Sequence, residues 1–142
     1  MLETIFAVNL LLLASDHLYT GFLALFFPQK AVRIYRKLFG AELPETKEYL
    51  IILRPWGALG IFAGLAGLLP ILDPQKYKLI LLCLAILLLT RIIYRLKFQR
   101  EATETLKLSP KRNLFHVGLI SVCLLIIITQ LTLLCLAGPE VI

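Results

Sequence analysis

The stretch Tyr49–Leu72, YLIILRPWGALGIFAGLAGLLPIL, decides the fold. A helix needs about 20 apolar residues to cross a hydrocarbon core about 30 Å thick, and this run supplies them. Its one charged side chain is Arg54. Gly57, Gly60, Gly64 and Gly67 follow at steps of three, four and three. Rotating by about 100° per residue, a helix places them on one narrow stripe. Small residues on one stripe let another backbone approach closely, and such packing drives helix association where lipid supplies no hydrophobic force. The stripe therefore reads as a helix-packing seam, within one chain or between two copies. A groove for a flat ligand is the third reading. Arg54 lies on the same stripe, three residues before Gly57, so the seam carries its charge toward a bundle interior.

Three further runs, Ile5–Phe27, Leu79–Arg95 and Leu114–Ala137, have the same character. Apolar residues make up 59% of the chain, and mean hydropathy is +0.86. A soluble domain is roughly half apolar. These runs predict an all-α, four-helix transmembrane bundle forming one domain over residues 1–142. The loops left over are too short to build a second core, so a separate soluble catalytic domain is excluded.

The net charge of +6 is unevenly placed. Lys30, Arg33, Arg36, Lys37 and Lys47 lie between the first two runs. Arg95, Lys97, Arg100, Lys107, Lys111 and Arg112 lie between the last two, while the middle loop has only Lys76 and Lys78. Four spans put the first and third loops on one side. The positive-inside rule makes that side cytoplasmic and both termini non-cytoplasmic. The basic surface then faces anionic membrane lipids, and no nucleic-acid partner is expected. The first run lacks a basic leader, carries Glu3 and is interrupted by Asp16, so it reads as a retained span and not a signal peptide.

Pro28 fits a first helical position and Gly40 a C-terminal cap. Between them Val32, Tyr35, Leu38 and Phe39 share one face, and Lys30, Arg33 and Lys37 another. This predicts a short amphipathic helix in the cytoplasmic interface. Asp73-Pro74-Gln75 predicts a tight turn. Arg95–Lys107 reads as a polar extension of the third span, and Ser109-Pro110 as the N-cap and first helical position of the fourth.

A charge at mid-membrane costs about 2.5–3.5 kcal/mol on insertion scales, so each one needs a partner or a role. Asp16, His17, Arg54, Arg91 and His116 are the ionisable residues to explain. Asn9, Asp16 and Thr20 share a stripe of the first span. Arg54 is the preferred partner of Asp16 and Arg91 the second choice. Trp56, after Pro55, is a pocket wall if its helix begins early and an interfacial anchor if it begins late. Asp16, His17, Arg54, Trp56, Arg91 and His116 thus form the candidate ligand-binding set. The bland alternative is a buried ion pair that fixes helix register.

Two histidines raise a bis-histidine haem, but counting from the expected span ends leaves His17 about 10 Å deeper than His116. No cofactor and no metal are therefore expected. Cys83, Cys123 and Cys135 lack C-x-x-C spacing and read as buried free thiols that fill apolar space.

Three pieces occur in a suggestive order: Pro28 to Leu38-Phe39-Gly40, then Leu53-Arg54-x-x-Gly57-x-x-Gly60, then Thr90-Arg91. In this order the chain resembles the DoxX-like group of small four-helix membrane proteins, many of unknown function. Thr90 stands where that group usually has glycine, and Ile92-Ile93-Tyr94 where small residues often follow. The resemblance implies no catalytic residues. Some members are membrane subunits of quinone-reducing oxidoreductases, which keeps an enzymatic alternative open.

The leading reading is a membrane protein that binds a small amphiphile, a lipid or a quinone, or that serves as an accessory subunit of a homodimer or larger membrane complex. The alternative is an enzyme or oxidoreductase subunit acting on a quinone, sterol or isoprenoid, with Asp16 or His17 as acid or base. A small transporter is the second alternative.

Overall fold

The computed structural model describes residues 2–136. Within them the chain forms α1 (Leu2–Phe26), α2 (Pro28–Phe39), α3 (Lys47–Leu72), α4 (Lys78–Lys97), α5 (Gln99–Leu106) and α6 (Pro110–Leu136). No strand occurs among the described residues. Helices α1, α3, α4 and α6 are long and apolar enough to cross a membrane. The protein is an all-α, multi-pass membrane protein built on a four-helix bundle. Ala137, the expected last residue of the fourth span, lies outside the described residues.

The bundle consists of two antiparallel pairs, α1 with α3 and α4 with α6. In the first pair the glycine stripe of α3 meets the backbone of α1. A methyl group on Gly57 would lie 2.5 Å from the Leu25 nitrogen and 2.7 Å from the Gly21 oxygen. One on Gly64 would lie 2.7 Å from the Leu18 side chain and 3.0 Å from the Ala14 oxygen. Gly21 is the reciprocal contact: its own methyl would sit 2.7 Å from both the Gly57 oxygen and the Ile61 nitrogen. Gly67 marks the end of this close approach, with 3.8 Å to both Ala14 and Leu84. The seam is thus filled by α1 of the same chain.

The second pair is held by a core that also takes in the start of α1. Leu81, Leu84 and Leu88 of α4 pack with Leu124 and Ile127 of α6 and with Phe6 and Leu10 of α1. Leu10, Leu81, Leu88 and Ile127 are fully buried.

Helix α2 begins at Pro28 and ends at Gly40, whose φ of 63° a side chain would resist. Ala31 and Val32 are buried, whereas Arg33 and Lys37 are exposed, so the helix is amphipathic along the face read from sequence. Its far end is tied to the α5–α6 corner. The Ser109 N–H donates to the Phe39 carbonyl at 3.3 Å, the Glu42 N–H to Leu106 at 2.6 Å, and the Arg112 guanidinium to Lys37. The two basic loops therefore meet on one side of the bundle. On the other side, Asp73 Oδ1 accepts the Lys76 N–H at 2.9 Å and closes the tight α3–α4 turn.

Two expectations change and one holds. The polar extension of the third span is broken at Phe98, and this corner lets α5 turn back to meet the first loop. The last helix begins at Pro110, as the Ser109-Pro110 pair predicts, and the Ser109 carbonyl accepts the Asn113 N–H at 2.9 Å. Cys83 and Cys135 are exposed on the bundle exterior and only Cys123 is partly covered, so the thiols do not fill the core. A thiol is apolar enough to face lipid.

A substitution Gly57→Ala forces two backbones apart and should destabilise the protein by about 1–3 kcal/mol. Gly118 has nothing within 4 Å of a methyl. Gly118→Ala should gain up to about 1 kcal/mol from helix propensity. Unfolding of both variants in mixed micelles, followed by circular dichroism, checks the opposite signs.

Candidate functional site

A cavity of about 900 Å³ lies between the two helix pairs, with α2 across one end. Its lining is graded. At the α2 end stand Asp16 and Thr20 of α1, Tyr35 of α2, Arg91 and Arg95 of α4, and His116 of α6. Farther along, Ile5, Val8 and Leu12 of α1 face Leu119, Val122 and Ile126 of α6. The head is polar, and the remainder is apolar apart from Thr4 and Asn9.

Helix α1 supplies two functional faces. Ala14, Leu18 and Gly21 meet α3, while Asn9, Asp16 and Thr20 turn into the cavity. Asn9 donates its side-chain N–H to the Cys123 carbonyl at 3.4 Å, which sets the register between α1 and α6. Asp16 lies seven residues after Asn9 and His116 seven before Cys123, so in this antiparallel pair they come level. The expected 10 Å offset between the two histidines does not hold, because the Asn9–Cys123 register, and not the ends of the apolar runs, sets their levels.

Level depth still does not make a haem site. His17 Nδ1 lies 2.8 Å from the Leu13 carbonyl oxygen, and Nε2 lies 3.1 Å from Arg91 Nη1. A carbonyl only accepts and a guanidinium only donates. The two contacts together assign a neutral imidazole with its proton on Nδ1. The Nε2 lone pair, the one a metal would take, is engaged by Arg91. Nor do three histidine, cysteine or carboxylate side chains converge anywhere among the described residues.

The preferred pair, Asp16 with Arg54, does not form. Gly57 faces Gly21 and Leu25, and Gly64 faces Ala14 and Leu18. In that register Arg54 is level with the end of α1, whereas Asp16 is level with Gly64. Ten residues of α3 separate the two levels, about 15 Å. Arg54 lines a different cavity of about 420 Å³, beside Lys30 and Lys47. Trp56 is 66% exposed and lines neither cavity. Its helix does begin early, at Lys47, but Trp56 is one residue off the glycine stripe and faces outward. Arg91, the second choice, shares the cavity with Asp16 but bonds His17. Among the described residues no cation forms an ion pair with Asp16.

Outside the candidate set, Thr20, Tyr35 and Arg95 complete the polar head, with Phe39 and Asn113 supporting them. Arg95 Nη1 donates to Asn113 Oδ1 at 2.9 Å, and the Asn113 amide returns a bond to the Arg95 carbonyl at 3.3 Å. Asn113 is fully buried. The Arg95 guanidinium lies 4.8 Å over the Phe39 ring, and the His116 ring packs 4.6 Å from the same ring. Phe39 thereby joins α2 to α4 and α6. Burial pushes the Tyr35 phenol above its usual range, with the Thr20 hydroxyl pulling the other way. Arg95 was legible as the next residue on the Arg91 face, four positions on. Asn113 lay just outside the expected span, and Tyr35 and Phe39 were assigned to the membrane surface.

The head offers guanidinium and phenol donors together with one carboxylate acceptor. It suits a head group bearing carbonyl, hydroxyl or acidic oxygens. The tautomer of His17 is directly testable. Nitrogen NMR of ¹⁵N-histidine-labelled protein should show His17 protonated at Nδ1 and bare at Nε2, and Arg91→Leu should replace this with a mixture of tautomers. The chain matches no family model, no curated protein and no solved structure, so its function is read from the residues lining its cavities.

Proposed function

We propose that the protein holds a small membrane amphiphile, a lipid or a quinone, in the cavity between its two helix pairs. The observation that carries this is the graded lining: polar groups from four helices at one end and an apolar channel beyond. From Asp16 to Ile5 the channel follows α1 for about 16 Å, room for an extended hydrocarbon tail. A volume of about 900 Å³ falls within the usual range for small-molecule sites, about 300–1,000 Å³. Arg91, Arg95 and Tyr35 would bind the oxygens of the head, and Asp16 would accept a hydroxyl. His17 orients Arg91. The two arginines outweigh the one carboxylate, which favours a neutral or acidic head over a cationic one.

The basic side carrying α2 and α5 faces the cytoplasm in this proposal, with both termini opposite. Membership in the DoxX-like group, and service as an accessory subunit of a larger membrane complex, belong to the same reading.

Native mass spectrometry of protein released from a mild detergent tests it. The wild type should carry an added mass of lipid or quinone size. Arg91→Leu, which removes a head-group donor, and Leu119→Trp, which fills the channel, should each lose it. A bare wild-type mass, or equal retention in both variants, would overturn the proposal.

Orientation has its own check. In a background with the three native cysteines replaced by alanine, Lys76→Cys should react with an impermeant maleimide on intact cells. Arg33→Cys should react only after permeabilisation.

A further inference from the structure

The second cavity lies at the elbow between α1 and α2. Lys47, Leu50, Ile51 and Arg54 form one stripe of α3 facing this elbow, with Phe26, Phe27 and the first turn of α2, including Lys30, across from them. Three cations from two helices thus line a space of about 420 Å³, and no carboxylate lines it. Of the nearby acids, Glu45 pairs with Arg36 at 2.6 Å and Glu42 with Lys107 at 2.8 Å, and Glu48 is exposed and does not line the cavity. Lys30 packs 5.0 Å from the Phe27 ring, while no hydrogen bond or ion pair among the described residues engages Arg54. The positive end of the α2 dipole points to the same place. Arg54 sits about 10 Å deeper than Lys47 along the α3 axis. Beside the cations, Phe26, Phe27, Leu50 and Ile51 form apolar walls.

We propose that this elbow is a binding site for the phosphate of an anionic phospholipid from the leaflet on the basic side. Lys30 and Lys47 hold the phosphate at the rim and Arg54 reaches it from below. The phenylalanines, Leu50 and Ile51 flank the first methylenes of the acyl chains. Charge complementarity selects the occupant: an intramembrane guanidinium without a protein counter-charge calls for an anion that already lives at that depth. The same phosphate chemistry is available from free phosphate in water. The apolar walls select the lipid. This site is separate from the amphiphile cavity and does not depend on it.

Delipidated full-length protein is titrated with phosphatidylglycerol and with phosphatidylcholine of identical chains, and bound lipid is counted by native mass spectrometry. Phosphatidylglycerol should bind at least about tenfold more tightly. The double variant Lys47→Gln/Arg54→Gln should lose that preference. Arg33→Gln/Lys37→Gln, which removes the same charge from the exposed face of α2, should keep it. Arg54→Lys should restore most of the binding to the Arg54→Gln protein, which separates charge from folding. Inorganic phosphate in excess should leave the lipid bound. Equal losses in the two double variants would reduce the site to diffuse surface charge and overturn it. Displacement by inorganic phosphate would overturn the lipid as its occupant.

Discussion

Everything in this bundle depends on how closely the backbones of α1 and α3 approach. No side chain separates Gly57 from Gly21, and a methyl group there would lie inside van der Waals contact with backbone atoms. In lipid, apolar side chains gain little by leaving their surroundings, so shape complementarity of this kind supplies the specificity that hydrophobic burial supplies in water. A seam of backbone contacts also admits only one register. That register fixes which polar residues can meet and which cannot.

Its first consequence is the division of labour on α1. One face is committed to α3, so Asp16 and Thr20 must turn toward α4 and α6. The polar residues that the membrane would otherwise penalise collect there against Arg91, Arg95 and His116. Its second consequence is the isolation of Arg54, about 15 Å from Asp16 along the seam. Two arginines of similar appearance in the sequence therefore serve different cavities. The reciprocal bonds between Arg95 and Asn113, and the Phe39 ring beneath Arg95 and His116, then hold α2 across the bundle end.

The architecture was plain in the chain because hydropathy, glycine spacing and loop charge each act over many residues. Helix ends were legible where a cap marked them: Ser109-Pro110 gives the start of α6. Relative depth was not, because it was counted from the ends of the apolar runs, and this misplaced His116 in the argument about haem. The pairing of Asp16 was misjudged because stripe analysis gives the direction of a residue but not the height at which its neighbour stands. Arg54 and Asp16 do both face inward from their helices, yet only the contacts of Gly57 and Gly64 fix their relative depth. Trp56 shows the reverse case: its depth followed from the helix start, and its outward direction from the single step that separates it from Gly57.

The channel between the helix pairs is covered by α2 where the loops are basic, but its flank is not closed. Val8, Leu12, Leu119 and Val122 line it and remain half exposed or more. The amphiphile proposed for this cavity would arrive sideways, by diffusion in two dimensions, and its occupancy would follow its mole fraction in the bilayer instead of its molarity in water. Dilution of the aqueous phase leaves such a site filled, whereas a change in lipid composition empties or fills it. On the proposed function, the protein is in this sense coupled to the make-up of the membrane around it.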